Sequence, residues 1–229
     1  MKVKVCGLKY ALNVQEIGDL NIDYAGFIFV SESPRNVDYS PALMLAMNKL
    51  KCKKVGVFVN APTYFIKAKA ELFSLDAIQL HGDESPYQIE ALAKDYEVIK
   101  VFSVDEEFDF NLDDYQSADY LLFDTKGKKR GGNGTKFKWD ILENYKGDTP
   151  FILSGGIGPE DAEEILKINH PKFIGIDVNS GFETEPGLKN VNELKSFIEV
   201  LTSNQSSCHT DPDSYREKVE PKLTKRTKL

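Results

Sequence analysis

The segment PFILSGGIGPEDAEEILKI, residues 150–168, shows most clearly how a strand passes into a helix in this chain. It begins with a short apolar run that ends at Ser154, which predicts a buried strand. A glycine-rich turn follows, and Gly158-Pro159 then opens a helical pattern, with proline in the first turn where it is best tolerated. A strand, a turn and a helix in this order form one β–α unit, so the segment indicates an α/β protein with a parallel sheet.

The same unit recurs along the chain. Helical patterns at 40–50, 61–73, 85–96 and 190–201 separate further apolar runs, while the acidic stretch 103–118 predicts a loop or one short helical turn. Because no GxGxxG follows the first strand, the pattern favours a closed (βα)8 TIM barrel over an open doubly wound sheet. The eight predicted strands are 2–6, 24–29, 54–59, 76–80, 97–102, 119–123, 150–154 and 173–178.

Composition limits the class of protein. The chain has 229 residues, 41% of them hydrophobic, which suits one barrel domain over residues 1–202. Residues 203–229 are polar and predict a mostly disordered tail. A formal net charge of −7 argues against a general nucleic-acid binder, since a surface that follows phosphates needs a basic excess.

Cysteine use and hydropathy predict the compartment. Three cysteines without a CxxC pair, and only three histidines, argue against a structural zinc site and favour a reducing compartment. We find neither a signal-peptide pattern nor an apolar run of transmembrane length. We therefore expect a cytoplasmic protein that binds no metal and no membrane.

Polar residues cluster where the predicted strands end, which is the face that carries the active site in a barrel of this type. Cys6 follows strand one, Arg35 strand two and His81 strand four, while Asp124 and Asp177 lie at the ends of strands six and eight.

Glycine-rich segments follow the last three strands. LSGGIGPED (153–161) and NSGFETEPG (179–187) predict a phosphate site formed by Gly155, Gly156, Ser180 and Gly181, because backbone N–H groups at such turns bind anions. The third, GKKRGGNGT (127–135), predicts a loop that closes over a ligand.

The residues alone leave several assignments open. A cysteine at the end of a strand is more often a small buried hydrophobe than a reactive group, and an aspartate there is often a cap or turn residue. Arg35 can be a surface ion pair, and Asp177 can either orient a substrate or hold the loop after strand eight. We give His81 no catalytic role and expect Glu183 to be solvated.

The ordered set of motifs is similar to the phosphoribosylanthranilate isomerase family of tryptophan biosynthesis. The resemblance covers about residues 2–200, with Asn133 and Lys138 departing from the residues common in the family. The motifs are KVCGL, GFIFVSESPR, VGVFVN, IQLHGDE, LLFDTKGKKRGGNGTKFKW, LSGGIGPED and GIDVNSGFETEPGLKN.

The resemblance implies a cofactor-free enzyme, a monomer or homodimer, that acts on a small phosphorylated substrate. It implies an Amadori rearrangement of N-(5-phosphoribosyl)anthranilate to 1-(2-carboxyphenylamino)-1-deoxyribulose 5-phosphate. The family's general base matches Cys6, its general acid matches Asp124, and its carboxylate-binding arginine matches Arg35.

Two other functions compete with this interpretation. One is the related phosphoribosyl-sugar isomerase of histidine biosynthesis, in which a carboxylate is the base at the end of strand one; Cys6 argues against it. The other is a non-catalytic barrel that binds a phosphorylated ligand, against which the presence of Cys6, Asp124 and Arg35 argues.

Overall fold

Eight parallel strands close into one barrel in chain order, and β8 pairs with β1. The structure is a computed structural model that describes residues 1–125 and 139–203. The TIM-barrel prediction and all eight predicted strands are confirmed. The strands are β1 Lys2–Val5, β2 Tyr24–Ile28, β3 Lys53–Phe58, β4 Ala77–Leu80, β5 Glu97–Val104, β6 Tyr120–Thr125, β7 Phe151–Ser154 and β8 Phe173–Val178.

The helices lie between the strands and differ in detail from the prediction. Helix α1 was not predicted; its N-cap residue, Tyr10, makes no side-chain cap hydrogen bond, so the usual start signal is missing. The stretch between β5 and β6 has the single short turn expected, a 3₁₀ turn at Asp113–Tyr115. The helices are α1 Ala11–Gly18, α2 Pro41–Met47, α3 Thr63–Phe73, α4 Pro86–Ala93, α5 Ala162–Ile165 and α6 Val191–Ser203.

Two helices begin at Ser-Pro pairs, Ser40-Pro41 and Ser85-Pro86. Ser40 Oγ accepts a hydrogen bond from the Leu43 N–H at 3.1 Å, and Ser85 Oγ accepts one from the Gln88 N–H at 3.3 Å. Each serine satisfies an N–H group that the first helical turn leaves without a partner, and such a cap stabilises by about 1 kcal/mol.

The segments after β7 and β8 are less regular than predicted. The helix expected over 158–168 is a 3₁₀ turn, Pro159–Asp161, followed by the single turn of α5, and the Asp161 carboxylate accepts from the Gly158 N–H at 2.8 Å. After β8, a 3₁₀ turn leads into an antiparallel hairpin of β9 Glu183–Glu185 and β10 Leu188–Lys189.

Strand alternation separates the helix-facing core from the barrel interior. The inward-facing positions nearer the carboxyl ends of the strands include the polar residues Gln79, Asp124 and Ser154, which line a cavity there. The apolar layer below them consists of Tyr24, Val55, Ala77, Ile99, Val101, Leu122 and Ile152.

Two sequence predictions concern segments outside the described residues: the loop 127–135 and the tail, of which only residue 203 is described. In the described part of the chain, none of the helices has the length and apolar character that a membrane span requires.

Candidate active site

A cavity of about 180 Å³ opens among the residues at the carboxyl ends of the strands. Seven of the eight predicted site residues line it, and Arg35 is the exception. Its walls also include four polar residues to which the sequence interpretation gave no role: Gln79, His81, Ser154 and Asn179. The seven predicted residues are Cys6, Asp124, Gly155, Gly156, Asp177, Ser180 and Gly181.

Cys6 lies just beyond the end of β1 and is 3% exposed. Its N–H donates to the Val178 carbonyl at 2.9 Å, which extends the pairing with β8 and holds the Cys6 backbone beside the cavity. Burial raises the pKa of the Cys6 thiol, although the ammonium groups of Lys4 and Lys189 act in the opposite direction. Cys6 is therefore buried and also forms part of the cavity wall.

Asp124 lies beside a histidine that the sequence interpretation left without a role. The Asp124 Oδ2 atom is 3.3 Å from His81 Nε2, and the other ring nitrogen of His81 is 3.3 Å from the Gln79 side-chain nitrogen. Asp124 and His81 are each about one third exposed, toward the cavity. Side chains alternate along β4, so Gln79 and His81 lie on the same face. This alternation is the sequence signal that could have identified the two residues as part of the site.

Asp177 is buried in the barrel interior, where it accepts a hydrogen bond from Lys4 Nζ at 2.8 Å. The two residues are directly paired in the register of β1 and β8, and Lys4 is fully buried. The sequence left open whether Asp177 contacts a substrate. The structure shows this carboxylate at the cavity wall with an internal cation as its partner.

Arg35 is held by Glu183. The Arg35 Nε donates to both carboxylate oxygens of Glu183, at 2.9 and 3.0 Å, and Nη2 donates to Oε2. Glu183 also accepts from Lys189 Nζ at 2.6 Å and from the Gly187 N–H at 3.0 Å. The expectation that Glu183 is solvated was therefore wrong: the side chain is 5% exposed because the hairpin places it between two cations.

Gly7 brings the arginine close to Cys6. Its φ is +73°, and a Cβ there would lie 2.8 Å from Arg35 Cδ and 2.5 Å from the Asn179 side-chain oxygen. Only glycine allows both the backbone conformation and this approach. The Arg35 side chain therefore lies against Gly7, the residue that follows Cys6 in the chain.

The glycine residues predicted to bind phosphate meet at one side of the cavity. Gly155 and Gly156 have φ values of +100° and +66°, and a Cβ on Gly156 would meet nothing within 4 Å. A Cβ on Gly181 would lie 2.1 Å from the Ile157 carbonyl, so the loops after β7 and β8 pack in direct backbone contact. The loops after β7 and β8 thus bring their backbones together at this side of the cavity.

Within residues 1–125 and 139–203, no group of three or more His, Cys, Asp or Glu side chains is arranged to hold a metal ion. Acid–base residues and backbone amides are the chemical groups that the described site presents.

Comparison with known proteins identifies close relatives. The family model described as N-(5'phosphoribosyl)anthranilate (PRA) isomerase matches residues 3–200. An N-(5'-phosphoribosyl)anthranilate isomerase from Parabacteroides distasonis is 48% identical over 206 residues, which cover 88% of this chain and 93% of the relative.

Solved structures agree with this match. A structure of mutually generated monomers of the dimeric enzyme from Thermotoga maritima aligns with a TM-score of 0.76 and 30% identity, covering 89% of this chain and 99% of the other. A phosphoribosyl anthranilate isomerase in complex with reduced 1-(o-carboxyphenylamino)-1-deoxyribulose 5-phosphate aligns with a TM-score of 0.73 and 28% identity, covering 89% and 99%.

Proposed function

The chain belongs to the N-(5'-phosphoribosyl)anthranilate isomerase family, and we propose that Cys6 and Asp124 perform its acid–base chemistry. As a member of that family it is an isomerase of tryptophan biosynthesis that converts N-(5'-phosphoribosyl)anthranilate to the deoxyribulose 5-phosphate product. The observation that carries the assignment of roles is that the thiol and the carboxylate line one cavity, together with the glycine turns. Following the loss of substrate fluorescence with the purified chain tests the activity itself.

Asp124 is the general acid in this proposal. It donates its proton to the furanose ring oxygen, so that the ring opens to a Schiff base. Its position at the end of β6, partly exposed to the cavity, allows contact with a bound sugar. His81 contacts Oδ2 and thereby restricts the rotation of the carboxyl group.

Cys6 is the general base. Its thiolate removes the proton from C2 of the open-chain Schiff base, and the resulting enolamine tautomerises to the ketone. Burial raises the pKa of this thiol even with Lys4 and Lys189 nearby, so a minor thiolate fraction carries the step at neutral pH.

Arg35 binds the anthranilate carboxylate in our proposal. Glu183 holds the guanidinium through Nε and Nη2, and an arginine has five N–H donors, so donors remain for a second carboxylate. The buried Lys189 also pairs with Glu183. One carboxylate therefore faces two cations, and it neutralises the charge of Arg35 only in part.

Replacing Arg35 by Lys is expected to raise KM, because lysine keeps the charge but loses the planar fork. The expected loss is about 1–3 kcal/mol of transition-state binding. Steady-state kinetics with the natural substrate measure it. A substrate analogue with aniline in place of anthranilate is the control, since it lacks the carboxylate and should be affected much less. Equal losses on both substrates would assign the carboxylate to another residue.

The substrate phosphate binds to the turns after β7 and β8 in our proposal. Gly155, Gly156, Ser180 and Gly181 contribute to one wall of the cavity, and two of these glycines have positive φ values, a geometry in which successive N–H groups can point toward one anion. This places the phosphate on the same side as β7 and β8, with Asp124 and Cys6 within the same cavity.

Replacing Gly156 by Asp is expected to weaken competitive inhibition by inorganic phosphate about tenfold, on the scale of ~1.4 kcal/mol. A side chain there enters open space, and aspartate adds a negative charge where the phosphate binds. Gly156→Asn is the matched control, because asparagine has nearly the same shape and tolerates a positive φ without the charge. Equal inhibition constants for the two variants would contradict this phosphate site.

We further propose that residues 1–202 form the catalytic domain, that the tail 203–229 takes no part in catalysis, and that the enzyme works in the cytoplasm without a cofactor. The family match ends at residue 200, which supports this boundary. A monomer or a homodimer fits the proposal, since the Thermotoga maritima relative is a dimeric enzyme from which monomers have been generated.

A further inference from the structure

A lysine inside the barrel lies directly below the cysteine at the cavity wall. Lys4 and Cys6 are two residues apart on the inward-facing side of β1, and Lys4 is fully buried. A buried ammonium group in a barrel is costly unless another group compensates its charge. The proposed roles of Cys6 and Asp124 do not use Lys4, so its place requires a separate explanation.

Asp177 explains why Lys4 remains charged. The carboxylate lies 2.8 Å from Lys4 Nζ. Burial alone would lower the pKa of Lys4, but the charges of Asp177 and Cys6 outweigh it and raise this pKa. Lys4 is therefore an ammonium group held at a fixed place inside the barrel.

Gly26 shows how close this ammonium group is to the sulfur. A Cβ on Gly26 would lie 3.0 Å from Cys6 Sγ and 3.2 Å from Lys4 Nζ, so both atoms border the same small space beside β2. Beside this shared space, the positive charge of Lys4 lowers the pKa of the Cys6 thiol, against the larger effect of burial, which raises it. Any larger residue at 26 would enter this space.

Other charged groups also face Cys6. Lys189 from β10 and Arg35 from the loop after β2 are cations, whereas Asp177 from β8 is an anion. Lys189 and Arg35 are both bound to Glu183, which takes up part of their charge. Lys4 lies near the sulfur and is fully buried. A charge in the protein interior acts more strongly on its neighbours than a charge at the solvent-exposed surface.

We propose that Lys4 is a positioning residue for the base: held by Asp177, its ammonium group stabilises the Cys6 thiolate through its positive charge. The inference rests on the proposed role of Cys6. Asp177 then acts from below the substrate, by keeping Lys4 protonated and aimed at the sulfur. When Cys6 takes the C2 proton, its negative charge disappears while the Lys4–Asp177 pair stays in place.

The test is the pKa of the Cys6 thiol in the enzyme without substrate. We would follow the ¹³Cβ chemical shift of labelled cysteine against pH, in a chain whose Cys52 and Cys208 are replaced by serine. Lys4→Met is expected to raise the Cys6 pKa by about 1–3 units, the usual effect of removing an opposite charge at this range. The thiolate fraction at pH 7 falls by the corresponding factor, and kcat/KM falls with it.

Lys4→Met leaves the Asp177 carboxylate buried without its partner, which can prevent folding. A second variant therefore removes both charges of the pair. In the double variant Lys4→Met/Asp177→Asn, the two side chains are uncharged and keep nearly the same volume. Here the Cys6 pKa is expected to rise less, because Asp177 itself raises it. The buried pair Lys100–Glu84 provides the matched control: Lys100→Met/Glu84→Gln removes an ion pair outside this interior and should leave the Cys6 titration unchanged.

The outcomes separate this inference from the proposed function. An unchanged Cys6 titration in both Lys4 variants, with Cys6 still essential for turnover, overturns the role of Lys4 alone. A raised Cys6 pKa together with full activity of Cys6→Ser supports the electrostatic role of Lys4 and overturns Cys6 as the base.

Discussion

Replacing Asp124 by Asn is expected to lower kcat by at least ~10²-fold, the usual scale for a lost general acid. Asparagine keeps the shape of the side chain and can still contact His81, but it cannot give a proton to the ring oxygen. Binding should be nearly unchanged. We therefore expect a reduced product analogue, which does not react, to bind the variant about as tightly as the parent enzyme, as measured by fluorescence titration.

Asp148→Asn is the matched control for this change, because it alters the net charge of the chain equally. Asp148 is fully exposed, and its partner Lys172 lies at the surface before β8. Its kcat should be that of the parent enzyme. Full activity of Asp124→Asn would mean that another group delivers the proton, and the nearest candidate is His81.

Replacing Cys6 by Ser is expected to lower kcat by at least ~10²-fold while the melting temperature stays close to that of the parent enzyme. Serine is of similar size and fits the same buried position. Its hydroxyl is far too weakly acidic to act as an anionic base at neutral pH, even beside Lys4. Kinetics and a thermal melt on the same preparation separate lost chemistry from lost folding.

Cys52→Ser is the control for the cysteine variant. Cys52 lies between α2 and β3, in a helix-to-strand loop at the opposite end of the barrel, and is half-buried. We expect no loss of activity there. A Cys6→Ser enzyme with a parental kcat would remove the thiol from the mechanism.

The barrel could be predicted because its signals are local and repeated. Each buried strand is a short apolar run, and Ser-Pro pairs at residues 40–41 and 85–86 mark helix starts that the structure confirms. Helix α1 was missed because no cap residue precedes it, and the hairpin of β9 and β10 was missed because strands of three and two residues carry no usable periodicity.

The site could be predicted only in part, because its pairings join distant segments. The contact of Arg35 with Glu183 and that of Lys4 with Asp177 depend on which strands become neighbours when the barrel closes. In the sequence, Glu183 is one acidic residue in a polar loop, and Lys4 is one charge in an alternating strand. Only the folded barrel shows that both side chains are buried and paired.

The most direct test of Asp124 as the general acid and Cys6 as the general base is the deuterium isotope effect on kcat/KM, measured with substrate deuterated at C2. If Cys6 removes that proton, Cys6→Ser slows the step, and the isotope effect should become larger than in the parent enzyme. If Asp124 opens the ring, Asp124→Asn slows an earlier step, and the isotope effect should fall toward unity. A larger effect in Asp124→Asn, together with an effect near unity in Cys6→Ser, would contradict the assignment of acid and base.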